Sequence, residues 1–328
     1  MFRALAAGIT SMVVILVIGP AFIEYLRRNE FGQEIREEGP AAHMVKAGTP
    51  TMGGILIMLA VLVPFFIFSG LSVASFSVLT VTLGGALIGF ADDWTKIVKK
   101  RSLGLSARWK VLFQLLLGLL MGFVALHFAG LDTSIDVPFR STPLHLGSVW
   151  YYVLIFVVIV ATTNSVNMTD GLDGLAAGTA AVILVSFASI AFIIGRHDHD
   201  PGMLDLSVLS GCIVGACLGF LWFNAFPAEI FMGDTGSLGL GGAIAGMAIL
   251  TRTELFLPII GGLLVLESAS VIAQVASFKL FHRRVLLMAP LHHHFEMKAW
   301  SETKIIVRFW IIAAIFAGTG FAIYYAGF

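Results

Sequence analysis

Charge is scarce in this chain. Lys, Arg, Asp and Glu together make up 12% of its 328 residues, about half the share of an ordinary soluble domain. So few charges could not cover a soluble globule of that size. Cysteine is almost missing too. Cys212 and Cys217 lie five apart in one apolar run, which excludes a disulfide framework and a thiolate metal site; both read as small packing residues. No Gly-Lys-Ser/Thr step occurs, so there is no P-loop, and no strand leads into a Gly-rich turn as a dinucleotide fold requires. Internal repeats, low-complexity tracts and Pro/Gly-rich linkers are also missing, so residues 1–328 read as one domain. Formal net charge is zero, and no nucleic-acid partner is expected.

What is abundant is apolar length. With 58% hydrophobic residues and a mean hydropathy of +0.94, the chain has material for eight to eleven spanning helices at about 20 residues each. Ten apolar runs stand out, at about 4–26, 51–69, 72–91, 111–130, 149–166, 175–195, 207–224, 237–251, 255–278 and 305–327. The expectation is an all-α polytopic membrane protein. The first run is too long for a signal-peptide core and shows no small-residue cleavage site, so it reads as a retained span. The eighth is short and carries Gly239, Gly241, Gly242 and Gly246, which suits close packing rather than lipid contact. Pro64 and Pro258 sit inside runs and are expected to kink their helices.

The basic residues set the orientation. Of the twenty, only Arg3, Arg140, Arg196 and Arg252 fall outside the loops that follow odd-numbered spans. The positive-inside rule therefore puts those loops in the cytoplasm and both termini outside.

The polar residues that need explaining also lie on the cytoplasmic side. Asp92 and Asp93 end the third span, Asn164–Gly174 joins the fifth and sixth, Asn224 and Phe231–Ser237 join the seventh and eighth, and Pro290–Glu296 precedes the tenth. Any one of Asp92, Asp93, Asp170, Asp173 and Asp234 reads as a helix cap. Together, at membrane-edge helix ends, they read as a site, because carboxylates are costly where water is scarce and a cation compensates them. All-oxygen donors favour Mg²⁺ or Ca²⁺, and Mg²⁺ takes one or two carboxylates plus substrate phosphates. The Gly233–Gly239 stretch suits a nest of backbone N–H groups or a tight turn before a packed helix. Lys96, one turn beyond the Asp pair, suits a phosphate contact or a local ion pair. His292, His293 and His294 diverge as neighbours and cannot easily share one metal, so hydrogen bonds to an anionic ligand are expected of them. Lys99, Lys100 and Arg101 need no role beyond topology or anionic lipid. Phe231 either stacks on a ligand base or packs. Glu267 and Gln274 share one helix face, and an intramembrane Glu is a functional candidate.

These motifs resemble those of the phospho-N-acetylmuramoyl-pentapeptide-transferase family. The resemblance rests on Gly32–Pro40 with His43, Lys46–Gly54, Asp92-Asp93 through Gly104-Leu105, Asn164–Gly174, Phe223-Asn224 through Gly233–Ser237, and Ala289–Glu296. Departures are Ser165, Met168 and Ala299, none of which removes a chemical group. The resemblance implies transfer of phospho-MurNAc-pentapeptide from UDP-MurNAc-pentapeptide to undecaprenyl phosphate in the bacterial cytoplasmic membrane. UMP is released, and Mg²⁺ is the cofactor. It puts Asp234 on the metal and Asp92 and Asp93 beside the reacting phosphates. It puts Lys46, Asp170, Gly171, Leu172, Asp173, Asn224 and Phe231 on the uridine-binding side of the cleft, with Gln274 and His292 to His294 nearby, and it implies membrane lipids and a homodimer as further partners; Lys96, Asn164 and Asn167 join these as substrate-binding candidates. Transferases acting on UDP-N-acetylglucosamine share the Asp motifs, whereas the Pro290–Glu296 loop resembles the muramoyl-pentapeptide branch. An ion-coupled transporter is the rival of another class, but it would place its acids at the midplane in inverted repeats.

Overall fold

The computed structural model describes residues 1–29, 31, 48–101, 103–140 and 142–327. Lys46, His43 and the Gly32–Pro40 stretch lie outside the described residues. Each of the ten apolar runs is helical. The long helices are α1 (Phe2–Arg28), α2 (Gly54–Phe68), α3 (Val73–Lys99), α4 (Ala107–His127), α5 (Ser148–Thr169), α6 (Leu175–His197), α7 (Pro201–Asn224), α8 (Gly233–Leu250), α10 (Gly262–Phe281) and α12 (Glu302–Gly327). Short helices α9 (Leu257–Ile260) and α11 (Leu291–Met297) flank α10, and β1 (Ser134–Ile135) pairs antiparallel with β2 (Leu144–His145) in a small hairpin. Among the described residues, eight helices are long and apolar enough to cross a membrane. The chain is an all-α polytopic membrane protein.

Helix α8 is the axis of the bundle. Every residue from Thr235 to Leu250 is buried, as expected for a helix apolar on all sides that faces protein rather than lipid. Its glycines let neighbours come close. A Cβ on Gly242 would sit 2.6 Å from the Val81 carbonyl oxygen of α3. Helix α10 is the opposite case. Only Gly262, Leu263, Leu264 and Glu267 are buried, and Ile272, Phe278, Leu280 and Phe281 are exposed.

One of the two prolines departs from the expectation. Pro64 lies inside an unbroken α2. The ninth run does break, but at Gly261, between α9 and α10. Pro258 sits in the first turn of α9, where its missing N–H costs nothing.

The end of the bundle that carries the hairpin holds structural polar contacts. Asp205 accepts hydrogen bonds from Ser69 Oγ (2.8 Å), Gly70 N (2.5 Å), Ser72 N (2.9 Å) and Ser75 Oγ (2.6 Å), tying α7 to the α2–α3 turn. Arg252 pairs with Asp132 at 3.1 Å and donates to Ser134 Oγ at 3.2 Å, which holds the hairpin. Glu254 is buried beside them with neither carboxylate oxygen hydrogen-bonded. Burial, reinforced by Asp136 and opposed by Arg252, pushes it up to about 8. Folded protein therefore holds this proton where unfolded chain, with an ordinary Glu near about 4.3, does not. Its contribution is complete below that value, declines by about 1.4 kcal/mol per pH unit above it, and is gone once pH passes 8. Thermal unfolding from pH 5 to 9 should show wild type losing stability relative to Glu254→Gln, with the gap levelling off above 8. Parallel curves would refute this.

Candidate active site

The acid cluster forms where four helix ends meet. At 27 residues, α3 is about 40 Å long, longer than a hydrocarbon core of about 30 Å. Its last turns, carrying Asp92, Asp93 and Lys96, therefore emerge at the membrane edge. The C-terminus of α5 and the N-termini of α4 and α8 end beside them.

Asp93 works across helices. Helix α8 has Met232 at its N-cap, without a side-chain cap. Asp93 fills that role from α3, accepting from Asp234 N (3.1 Å), Thr235 N (2.9 Å) and Thr235 Oγ1 (2.8 Å). Helix starts leave such N–H groups unpaired and favour a negative charge. The first turn of α8, and Asp234 with it, is thereby fixed to α3.

Two ammonium groups lie among the three carboxylates. Lys96 Nζ is 2.7 Å from Asp92 Oδ2, 3.1 Å from Asp234 Oδ1 and 3.5 Å from Asp93 Oδ1. Lys110 Nζ is 3.0 Å from Asp92 Oδ1 and 2.7 Å from Asp234 Oδ2. Asp92 also accepts from Leu105 N at 2.7 Å, which anchors the approach to α4. Asn167 Nδ2 donates to Asp234 Oδ1 (3.0 Å) and Ser237 Oγ (2.9 Å). One oxygen from each of Asp92, Asp93 and Asp234 falls within 4.8 Å of the others, an all-oxygen donor set of the kind Mg²⁺ takes. Asp93 is tied to the backbone of α8, whereas Asp92 and Asp234 face the ammonium groups of Lys96 and Lys110, which an incoming cation can displace.

The α5–α6 turn forms the next wall. Asp170 is half-buried; burial, with the negative charge of Asp234, Asp93 and Asp173, pushes it up to about 8. Asp173 accepts from Ala228 N at 3.0 Å, and its own N–H donates to Glu302 Oε1 at 3.0 Å. Asn224 links both loops, accepting from Gly174 N (3.0 Å) and donating to the Ile230 carbonyl (2.8 Å). Phe231 pairs its backbone with Pro50 and Gly53, and its side chain is half-buried.

Other expected residues lie further back. Asn164 donates to the Val160 carbonyl (2.8 Å) and to Gln114 Oε1 (3.4 Å), within the α4–α5 packing. The Leu172 side chain is buried in an apolar cluster with Leu175, Leu263, Ile305 and Phe309, while Gly171 stands at the turn itself. Gln274 accepts from Val285 N and Leu286 N and donates to the Leu286 carbonyl. His292 pairs with Glu267, His293 with Glu296, and His294 accepts from Leu287 N.

Lys110 was not among the expected site residues; it had counted only toward topology. Its signal was position. A basic residue in the first turn of α4 opposes the helix dipole, and such a residue needs a negative partner.

The chain is also similar to known proteins. The family model described as glycosyl transferase family 4 matches residues 75–252, and phospho-N-acetylmuramoyl-pentapeptide-transferase signature 1 matches residues 46–58. The chain is 46% identical to the phospho-N-acetylmuramoyl-pentapeptide-transferase of Rubrobacter xylanophilus, over 99% of this chain and 98% of that one. It is 48% identical to the protein of the same name from Geobacillus kaustophilus, over 94% of each chain. Identity to the Frankia alni protein of that name is 45%, over 99% and 97%.

Proposed function

The chain belongs to the phospho-N-acetylmuramoyl-pentapeptide-transferase family, and from that premise we propose that it transfers phospho-MurNAc-pentapeptide from its UDP carrier to undecaprenyl phosphate, releasing UMP. The observation that carries the chemistry is the set Asp92, Asp93 and Asp234 with Lys96 and Lys110 threaded between them. Asp234, with Asp92, would hold a Mg²⁺ ion, which when bound supplies charge neutralisation at the pyrophosphate. Lys96 and Lys110 bind phosphate oxygens, each a compact point charge able to turn from a carboxylate to a ligand. Asp93 keeps the α8 N-terminus in register. Asn167 holds the Asp234 carboxylate in place.

A phosphate monoester has a second pKa of about 6, so the lipid phosphate is mostly dianionic at neutral pH and needs little help from a base. Its oxygen attacks the phosphorus bearing the sugar, and the bond to UMP breaks. Direct attack suits Asp93 better than a covalent aspartyl route, since both its oxygens are occupied by α8 donors. The positive-inside count supports a cytoplasmic site, and the bacterial relatives are consistent with an inner-membrane location.

Purified protein with Mg²⁺ should release UMP from UDP-MurNAc-pentapeptide when undecaprenyl phosphate is present, and not from UDP-N-acetylglucosamine. Inverted membrane vesicles should use nucleotide sugar added outside, and right-side-out vesicles should not. Release from UDP-N-acetylglucosamine alone would overturn the substrate, and the reverse sidedness would overturn the orientation.

A further inference from the structure

Glu267 stands apart from the acid cluster, and the chemistry above makes no use of it. It is fully buried on α10. Its Oε2 accepts from Leu291 N at 2.9 Å and lies 3.1 Å from His292 Nδ1. Gln274, seven residues on and so on the same helix face, holds the backbone of Val285 and Leu286. One face of α10 therefore clamps both ends of the segment from 285 to 292.

The clamp has a chemical consequence for His292. A carboxylate oxygen that already accepts the Leu291 N–H acts as an acceptor, which puts the shared proton on His292 Nδ1. The other nitrogen, Nε2, is buried and has no hydrogen-bond partner. An unpaired buried nitrogen costs about 1–3 kcal/mol, and a native structure that keeps one calls for an explanation. Nε2 points at the α5–α6 turn. A Cβ on Gly171 would collide with it, so glycine at that position is what lets the ring approach. Gly171 follows Asp170, whose half-buried carboxylate faces the acid cluster.

We propose that Glu267 is a positioning residue. It fixes the ring plane and the Nδ1 proton of His292 so that the buried ring packs against Gly171 and holds the Asp170–Gly171 turn in place as one wall of the nucleotide-sugar cleft. This rests on the transferase reading above and adds to it the residue that orients one wall of the substrate cleft. Such supporting partners commonly contribute 10- to 100-fold in the metal sites where they have been measured.

The test is a double-variant cycle on wild-type, Glu267→Gln, His292→Asn and combined proteins, reading KM for UDP-MurNAc-pentapeptide and for undecaprenyl phosphate separately. Each single change should raise the nucleotide-sugar KM by about 10-fold or more and leave the lipid KM unchanged. The combined protein should be no worse than the weaker single one, because Glu267 acts through His292. Multiplying effects, or equal rises in both KM values, would overturn the proposal by giving Glu267 a general structural role. Gly171→Ala provides a second route if Glu267→Gln does not fold. It pushes the ring from the turn side and should raise the same KM selectively, and an unchanged KM overturns the proposal. Wild type that turns over no nucleotide sugar would overturn the transferase reading itself, and this inference with it.

Discussion

Asp234→Asn should leave the protein folded and cut turnover by roughly 10²–10³-fold, the usual loss when one preorganised electrostatic contact to developing charge is removed. The substitution keeps the shape and the hydrogen-bond acceptor but discards the negative charge that faces Lys96 and Lys110. If Asp234 served only the helix start, little would change, because Asn caps about as well as Asp. Capping of α8 also belongs to Asp93, which accepts from the N–H groups of Asp234 and Thr235. A surface-like dipole contribution from Asp234 would be only about 0.3–1 kcal/mol, too small to unfold a helix buried along almost its whole length. Thermal unfolding in detergent should therefore stay cooperative, at a temperature lowered by the lost pairings with Lys96 and Lys110, while UMP release falls and its Mg²⁺ dependence moves to higher concentration. Wild-type turnover with unchanged Mg²⁺ dependence would remove Asp234 from the reacting centre.

The apolar periodicity of the chain carried most of the fold. A run of twenty apolar residues in lipid has few alternatives to a helix, because every backbone group must be satisfied internally. Ten runs became ten helical regions for that reason, and Gly239, Gly242 and Gly246 correctly signalled a packed eighth helix. Local pattern failed where the outcome depended on position within a turn. Pro258 looked like a kink from its place in the run, but it falls at a helix start, and Gly261 carries the break.

The site was legible as residue types and much less as pairings. Asp92, Asp93, Lys96 and Asp234 announced themselves as polar groups at apolar helix ends. The capping of α8 by Asp93 joins residues about 140 positions apart, and no spacing rule reaches that far. Leu172 reads as a loop residue among glycines and acids, yet its side chain is anchored in apolar packing. Asp205 and Glu254 look like scattered charges at the far end, although one fastens a turn and the other is buried without a partner. Such roles depend on which loops tertiary packing brings together.

Lys110 makes the sharpest case, because its charge must be shared between the acids and whatever binds them. Its ammonium lies 3.0 Å from Asp92 and 2.7 Å from Asp234, facing the same oxygens that a divalent cation would use. Two unit charges 4 Å apart interact by about 4 kcal/mol at an effective dielectric of 20, so the lysine and a metal ion compete appreciably for these carboxylates. Lys110→Met removes one competitor and one phosphate contact together. Divalent-ion affinity of the substrate-free protein, measured with Mn²⁺ as a spin probe, should rise by roughly tenfold, a small part of that Coulomb energy. Turnover should fall by about 10²-fold or more, because a positive charge that meets the transferring phosphates is lost. Lys110→Arg keeps the charge but replaces a point charge with a planar fork, and should restore metal affinity to the wild-type level while recovering only part of the rate. If Lys110 merely supported the shape of the acid cluster, its loss would weaken metal binding and turnover together. Movement of the two quantities in opposite directions is the expected result, and a parallel fall of both would show that the ammonium serves the fold alone.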